Sequence, residues 1–577
     1  MKAKQGSAAL DRLRHIARHG PMMALLLPAM LLLGLVYVLP LAEVVRLSFG
    51  QRDFTLAHYA ELAGDDIIHR ILGRTLWISL QVTAISLAAG FPLAVLIARA
   101  SSRMRPILLL LVVIPMWTAI LVRTYAWMVL LGRQGVVNGS LMAVGLTDEP
   151  LSLLYNRFSV IVGMVHIMLP FMVLPILNTL RQIPPELTVA AESLGASPLR
   201  SFLTIYLPLS LPGIAAGCVL VFIMSLGFYV TPALLGGLHD TTFVLLIERY
   251  VSVIRNWPMA AAMSVLLLVL TLAIVIATQA GGRGERRVSL AVRLLVRAAL
   301  AVSTRARRGS LLLVRPHAGA GGAGWGARLI GGAGLVFLCA PLGIILILSF
   351  SSSPFLTFPP EGFSLRWYEN FFARPDWTGA AMTSIRVALA TMLVATLMGT
   401  AAAVALVRAE FPGKALLAGF MISPIVVPTV VLAIAIYFVF ARLGLVGTEI
   451  GLILAHSVLA IPFVIVVVSS ALQSTDTLPE RAARTLGAPP HIAFLRVTFP
   501  VLRPAVITAA FFAFLASFDE LVIALFIAGT GARTLPKRMW EGIREEIDPT
   551  IAAVAAMLIG LTLLLLFFAE IVRSRRK

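Results

Sequence analysis

Twelve apolar stretches recur along this chain of 577 residues, each close to the roughly 20 residues a helix needs to cross about 30 Å of hydrocarbon. The first six run approximately Met22–Leu41, Thr75–Leu96, Ile107–Leu131, Val160–Leu180, Leu209–Val230 and Met259–Ala280. The second six run Leu329–Phe350, Ile385–Val407, Leu416–Leu443, Ile450–Leu472, Val506–Ile527 and Ile551–Val572. With 59% hydrophobic residues, 13% charged residues and a mean hydropathy of +0.94, the chain lies far outside the range of soluble domains. The expectation is an all-α, multi-pass membrane protein.

Lys and Arg number 47 against 27 acids, which in a soluble protein would suggest nucleic acid. Their placement gives another reason for the excess. Basic residues crowd the amino terminus (Lys2, Lys4, Arg12, Arg14, Arg18), Arg103 with Arg105, the stretch after the sixth apolar run, Arg408 with Lys414, and the tail Arg573, Arg575, Arg576, Lys577. With a cytoplasmic start, all of these fall on the cytoplasmic side, as the positive-inside rule requires. Both termini are then cytoplasmic, and a nucleic-acid partner explains nothing further. The first apolar run is of spanning length and lacks a small-x-small cleavage site, so it reads as a retained helix. Cys218 and Cys339 have neither disulfide nor metal-ligand spacing.

One segment is written twice. Ala190-Ala191-Glu192-Ser193-Leu194-Gly195-Ala196-Ser197-Pro198 returns 292 residues later as Ala482-Ala483-Arg484-Thr485-Leu486-Gly487-Ala488-Pro489-Pro490. The register holds without insertion through Phe202 and Phe494, Pro208 and Pro500, and Ser225 and Ser517. Each copy is a short polar helix-turn-helix pattern between long apolar runs, on the cytoplasmic side. Alanines permit close approach by another surface, glycine permits the reversal, and proline suits a first helical turn. The chain therefore divides into a domain at 1–280, an Arg- and Gly-rich linker at 281–328, and a domain at 329–577, two parallel six-helix repeats. Within the linker, Val288–Val302 with Arg293 and Arg297 would suit anionic lipid headgroups, though a plain basic tether is the simpler reading.

The spacing Ala-Ala, four residues to Gly, then thirteen to Pro resembles the cytoplasmic "EAA" loop of ABC-transporter permeases. The resemblance extends to Pro115-Met116-Trp117-Thr118, Leu121 to Trp127, Gly135-Val136-Val137-Asn138 and Leu169 to Pro175 in the first half. In the second it covers Ser423 to Pro428, Ser517 to Ile523 and Glu541 to Arg544. These are similar to the two permeases of spermidine/putrescine-type importers, here in one chain. Iron(III) and 2-aminoethylphosphonate importers have similar permeases. The resemblance implies a type I ABC importer permease of a bacterial inner membrane and two ABC ATPase subunits gripping the loops at Ala190, Ala191, Gly195, Phe202, Pro208 and at Ala482, Ala483, Gly487, Phe494, Pro500. It also implies a periplasmic or extracellular substrate-binding protein. Val189 and Arg481 stand where the family usually has its acid, which puts any polar contact made there in question.

No Gly-x4-Gly-Lys-Ser/Thr loop occurs, so no cofactor is expected on this chain, and ATP and Mg would be used by the partner ATPase. The rival class is an ion-coupled secondary transporter, which would not need the duplicated loop. Candidate pathway residues are Asp519 and Glu520, since acids at bilayer depth usually face a cavity or a partner, against the alternative of interfacial acids. Trp117 and Tyr125 offer aromatic faces for an ammonium, or anchor at an interface. Arg123 would suit an anionic group instead. His166 and His456 lack metal spacing and read as hydrogen-bonded histidines.

Overall fold

The computed structural model describes residues 22–50, 54–279, 325–354, 358–545 and 548–574. The linker reading at Val288–Val302 and the basic amino terminus lie outside the described residues. The described chain is overwhelmingly helical. Nine of its helices are long and apolar enough to span a membrane singly. Two further expected spans are bent pairs, and the last expected span is the helix Thr550–Ser574.

Helix starts follow from local chemistry. The Asp65 carboxylate accepts from the Ile67 and Ile68 N–H groups at 2.7 and 3.2 Å and opens helix Asp66–Ala98. Asn156 and Ser159 form a reciprocal capping box before Arg157–Leu180, and the Thr448 hydroxyl accepts from Gly451 N–H at the start of Glu449–Gln473. Such caps satisfy N–H groups that have no partner within the helix, each contributing about 1 kcal/mol.

Three expected spans are corrected. Ile107–Leu131 is not one helix: Met104–Trp117 ends in extended backbone at Thr118 and Ala119, and the chain turns by 95° into the next helix. Leu416–Leu443 breaks likewise, with a turn of 93° before Thr429–Leu443. There the break falls at Pro428, which offers no N–H to continue the helix and disfavours helical backbone at Val427. After the bends, ten of the twelve residues in Ile120–Leu131 and nine of the fifteen in Thr429–Leu443 are buried. The third correction is Val506–Ile527, where the helix stops at Phe518 and a short helix, Val522–Ile527, follows. Several polar connections between the spans are themselves helical, including Ala57–Gly64, Phe243–Ser252 and Leu535–Glu545.

The chain forms two compact units that cut across the sequence halves. One comprises Met1–Phe54, Phe372–Gly542 and Gly560–Lys577; the other comprises Thr55–Phe371 and Ile543–Ile559. The first helix of each half thus belongs to the unit built mainly from the opposite half. In the first unit Tyr37 Oη and Ser423 Oγ lie 2.9 Å apart, and Arg442 pairs with Glu43 at 2.8 Å. In the second, His166 Nε2 is 3.0 Å from Leu338 O, and Trp127, His166 and Phe337 pack ring to ring.

The duplication persists at the level of single contacts. Gly90 and Gly399, 309 residues apart, sit where an added Cβ would come within 3.0 Å of Met172 and 2.7 Å of Val464, so each lets the second helix of its half press against the fourth. Phe243 N–H donates to Thr75 Oγ1 at 2.8 Å, and its counterpart Leu535 N–H donates to Ser384 Oγ at 2.8 Å.

Candidate functional site

The twice-written segment folds twice into the same device. Glu186–Ser193 and Leu478–Thr485 are short helices with no buried residue. Each ends at a glycine of positive φ, +85° at Gly195 and +90° at Gly487. The N–H groups of Gly195 and Ala196 reach the carbonyls of Glu192 and Ala191, both at 2.9 Å; those of Gly487 and Ala488 reach Arg484 and Ala483 at 3.1 and 3.0 Å. This is a Schellman termination, and the second alanine of each Ala-Ala pair supplies its outer carbonyl. A turn of helix follows in each copy, Pro198–Ser201 and Pro490–Ala493. A wide π-helical turn comes next, Phe202–Tyr206 and Phe494–Thr498, before the spanning helices Leu207–Leu226 and Phe499–Phe518. π turns are rare and cluster at functional positions.

Ala190 and Ala482 lie exposed on the outer side of their helices, and Ala191 and Ala483 are half-buried. Phe202 is buried against Phe91 and Tyr206, Phe494 is half-buried beside Phe499, and Pro208 and Pro500 occupy first turns. Val189 and Arg481 are exposed, as a contact to an outside partner would need. Sequence reasoning passed over Leu194 and Leu486. They stand in register, and each is 88% exposed at the tip of its turn. Their signal was available in the sequence as an apolar residue twice kept between the alanines and the glycine of a polar segment.

The two surfaces differ in charge. The first short helix carries Glu186 and Glu192, while the second carries Arg481 and Arg484 beside Glu480, with His491 and Arg496 following.

The acids expected in the pathway separate in the structure. Asp519 and Glu520 both lie in the break between Phe499–Phe518 and Val522–Ile527. The Glu520 carboxylate is buried and accepts from Ile523 N–H at 3.0 Å and Ala524 N–H at 3.1 Å, capping the short helix. His456 Nε2 lies 3.6 Å from it, and His456 Nδ1 is 2.8 Å from Ser517 Oγ. Asp519 is half-buried. Trp117 is half-buried at the 95° bend, whereas Tyr125 is 1% exposed and Arg123 is 2% exposed inside the packed helix Ile120–Leu131. Asp519 and Glu520 share one unit, Trp117 and Tyr125 the other. Among the described residues no group of three His, Cys, Asp or Glu side chains is placed to hold a metal ion.

Two copies of one helical arrangement, each with an exposed loop of fixed geometry between its fourth and fifth spans, define a duplicated, membrane-spanning all-helical protein. The family described as "Binding-protein-dependent transport system inner membrane component" matches residues 90–286 and 395–577, and this chain belongs to it. The spermidine/putrescine transport system permease protein PotB of Escherichia coli is 36% identical over 222 residues, covering 38% of this chain and 80% of that protein. The putrescine transport system permease protein PotI of Escherichia coli is 34% identical over 249 residues, covering 42% of this chain and 88% of that protein. A crystal structure of a bacterial ABC transporter involved in the import of the acidic polysaccharide alginate aligns with 48% of this chain and 99% of that chain, at 22% identity and a TM-score of 0.39.

Proposed function

We propose that this chain is the membrane permease of an ATP-driven importer of polyamines, with both permease copies fused. Two ABC ATPase subunits dock on the cytoplasmic loops around Gly195 and Gly487, bind ATP and Mg, and drive the cycle. A soluble binding protein presents substrate on the opposite side of the membrane. The observation that carries the docking reading is the repeated loop geometry, with Leu194 and Leu486 both 88% exposed. An apolar tip on a polar, rigidly terminated turn is what a hydrophobic socket on a partner accepts. Family membership stands against an ion-coupled secondary transporter.

The polyamine assignment rests on PotB and PotI. Of the candidate pathway residues, half-buried Asp519 suits contact with a passing ammonium, and Trp117 offers a partly exposed ring. Glu520 is a structural cap, and Tyr125 packs inside its own unit. Arg123, buried in the same helix, gives no support to an anionic cargo. The test is uptake of radiolabelled putrescine by the purified chain with its ATPase and binding protein in proteoliposomes. ATP-dependent accumulation is expected. Accumulation of iron(III) or 2-aminoethylphosphonate instead would refute the polyamine reading while leaving the permease intact.

A further inference from the structure

Arg99 and Arg408, 309 residues apart, close the long helices Asp66–Ala98 and Pro375–Arg408. Neither is needed to cap its own helix end. Arg105 donates to Ala98 O at 3.3 Å, and its counterpart Lys414 donates to Val407 O at 3.3 Å. The two arginines reach instead toward the loop segment of the same half, Arg99 to the π turn after the exposed helix and Arg408 to the exposed helix itself. The Arg99 guanidinium lies 5.1 Å from the centre of the Tyr206 ring. Arg408 Nη2 lies 3.4 Å from Glu480 Oε2, and the same oxygen accepts from the Thr498 hydroxyl at 2.6 Å.

Tyr206 and Thr498 are equivalent positions, each the last residue of its π turn. Where the second copy has Glu480, the first has Thr188, whose hydroxyl turns to Pro185 O at 2.8 Å. One copy thus holds its arginine by a carboxylate and the other by an aromatic face. Arg408 and Glu480 are each 16% exposed, so the charges attract through a medium less screening than water. Glu480 is engaged within the chain rather than presented outward.

We propose that Arg99 and Arg408 are positioning residues: each ties the loop segment of its half to that half's long second helix, so that displacement of the loop moves the helix. The inference rests on the ATPase-docking reading above and adds the route by which the loop's motion enters the membrane domain. Two chemistries at one position in two copies mark the connection itself as the shared feature.

The test uses the full chain, purified with its ATPase and binding protein and reconstituted in liposomes, with putrescine taken up per ATP hydrolysed as the readout. Arg408→Ala and Tyr206→Leu are each expected to lower that ratio by about three- to tenfold with the ATPase still bound. Arg408→Lys, which keeps the charge, and Tyr206→Phe, which keeps the ring, are expected to recover most of it. Glu480→Gln combined with Arg408→Ala is expected to be no worse than Arg408→Ala alone. An unchanged ratio in Arg408→Ala and Tyr206→Leu overturns the proposal, and so does loss of the ATPase from those variants alone, which would make the arginines part of docking. Loss of the ATPase from the unmodified chain refutes the docking reading itself.

Discussion

Glu520 shows how a residue of evident chemical interest is assigned by its neighbours. Its place in an apolar run made it a candidate for contact with a cation, yet two backbone N–H groups already hold the carboxylate, and His456 and Ser517 stand behind it. Glu520→Gln replaces one acceptor oxygen by an amide that cannot accept, leaving a buried N–H without its bond. The expected cost is about 1 to 3 kcal/mol of stability, read as a lower unfolding midpoint of the purified chain in detergent. Asp519→Asn is expected to spare stability and to reduce putrescine uptake several-fold. The reverse pattern, uptake lost only with Glu520→Gln at unchanged stability, would exchange the two roles. Hydropathy could not separate these neighbours, because the difference lies in where the helix stops, and Phe518 is followed by no proline or glycine that would announce it.

Among the elements, the exposed loops were the most legible. The alanine pair, the glycine and the prolines named the turn, its handed glycine and the next helix, and each appears as the spacing requires. Gly195→Ala or Gly487→Ala forces a side chain into left-handed backbone, at about 1 to 2 kcal/mol each. The loop is expected to fray locally, with faster amide exchange at Ala196 or Ala488, while the spanning helices keep their protection. Leu194→Ser with Leu486→Ser is expected to weaken ATPase retention by at least tenfold without altering the thermal midpoint of the permease, measured by titrating the ATPase onto the immobilised chain. This pair was not singled out from sequence because a leucine among so many attracts no notice. Its exposure becomes visible only once the turn is folded. The bent third spans were masked by apolar composition that continues across Thr118 and Val427; Pro428 marks the second break in the sequence, whereas no proline stands at Thr118 and Ala119 to mark the first.

At the scale of the whole molecule, hydropathy marked an all-helical membrane body and the twice-written segment marked its duplication. They did not reveal that each half's first helix belongs to the other half's unit. That arrangement depends on contacts such as Tyr37 with Ser423 and Glu43 with Arg442, between residues hundreds of positions apart, which no local pattern encodes. Whether the two loops of this fused permease each take an ATPase is decided by the mass of the purified complex in its nucleotide-bound state. Two ATPase subunits per chain are expected, falling to one when either Leu194 or Leu486 is replaced by aspartate and to none when both are. A chain that retains the same ATPase content with both replaced, or that never carries one, would contradict that expectation.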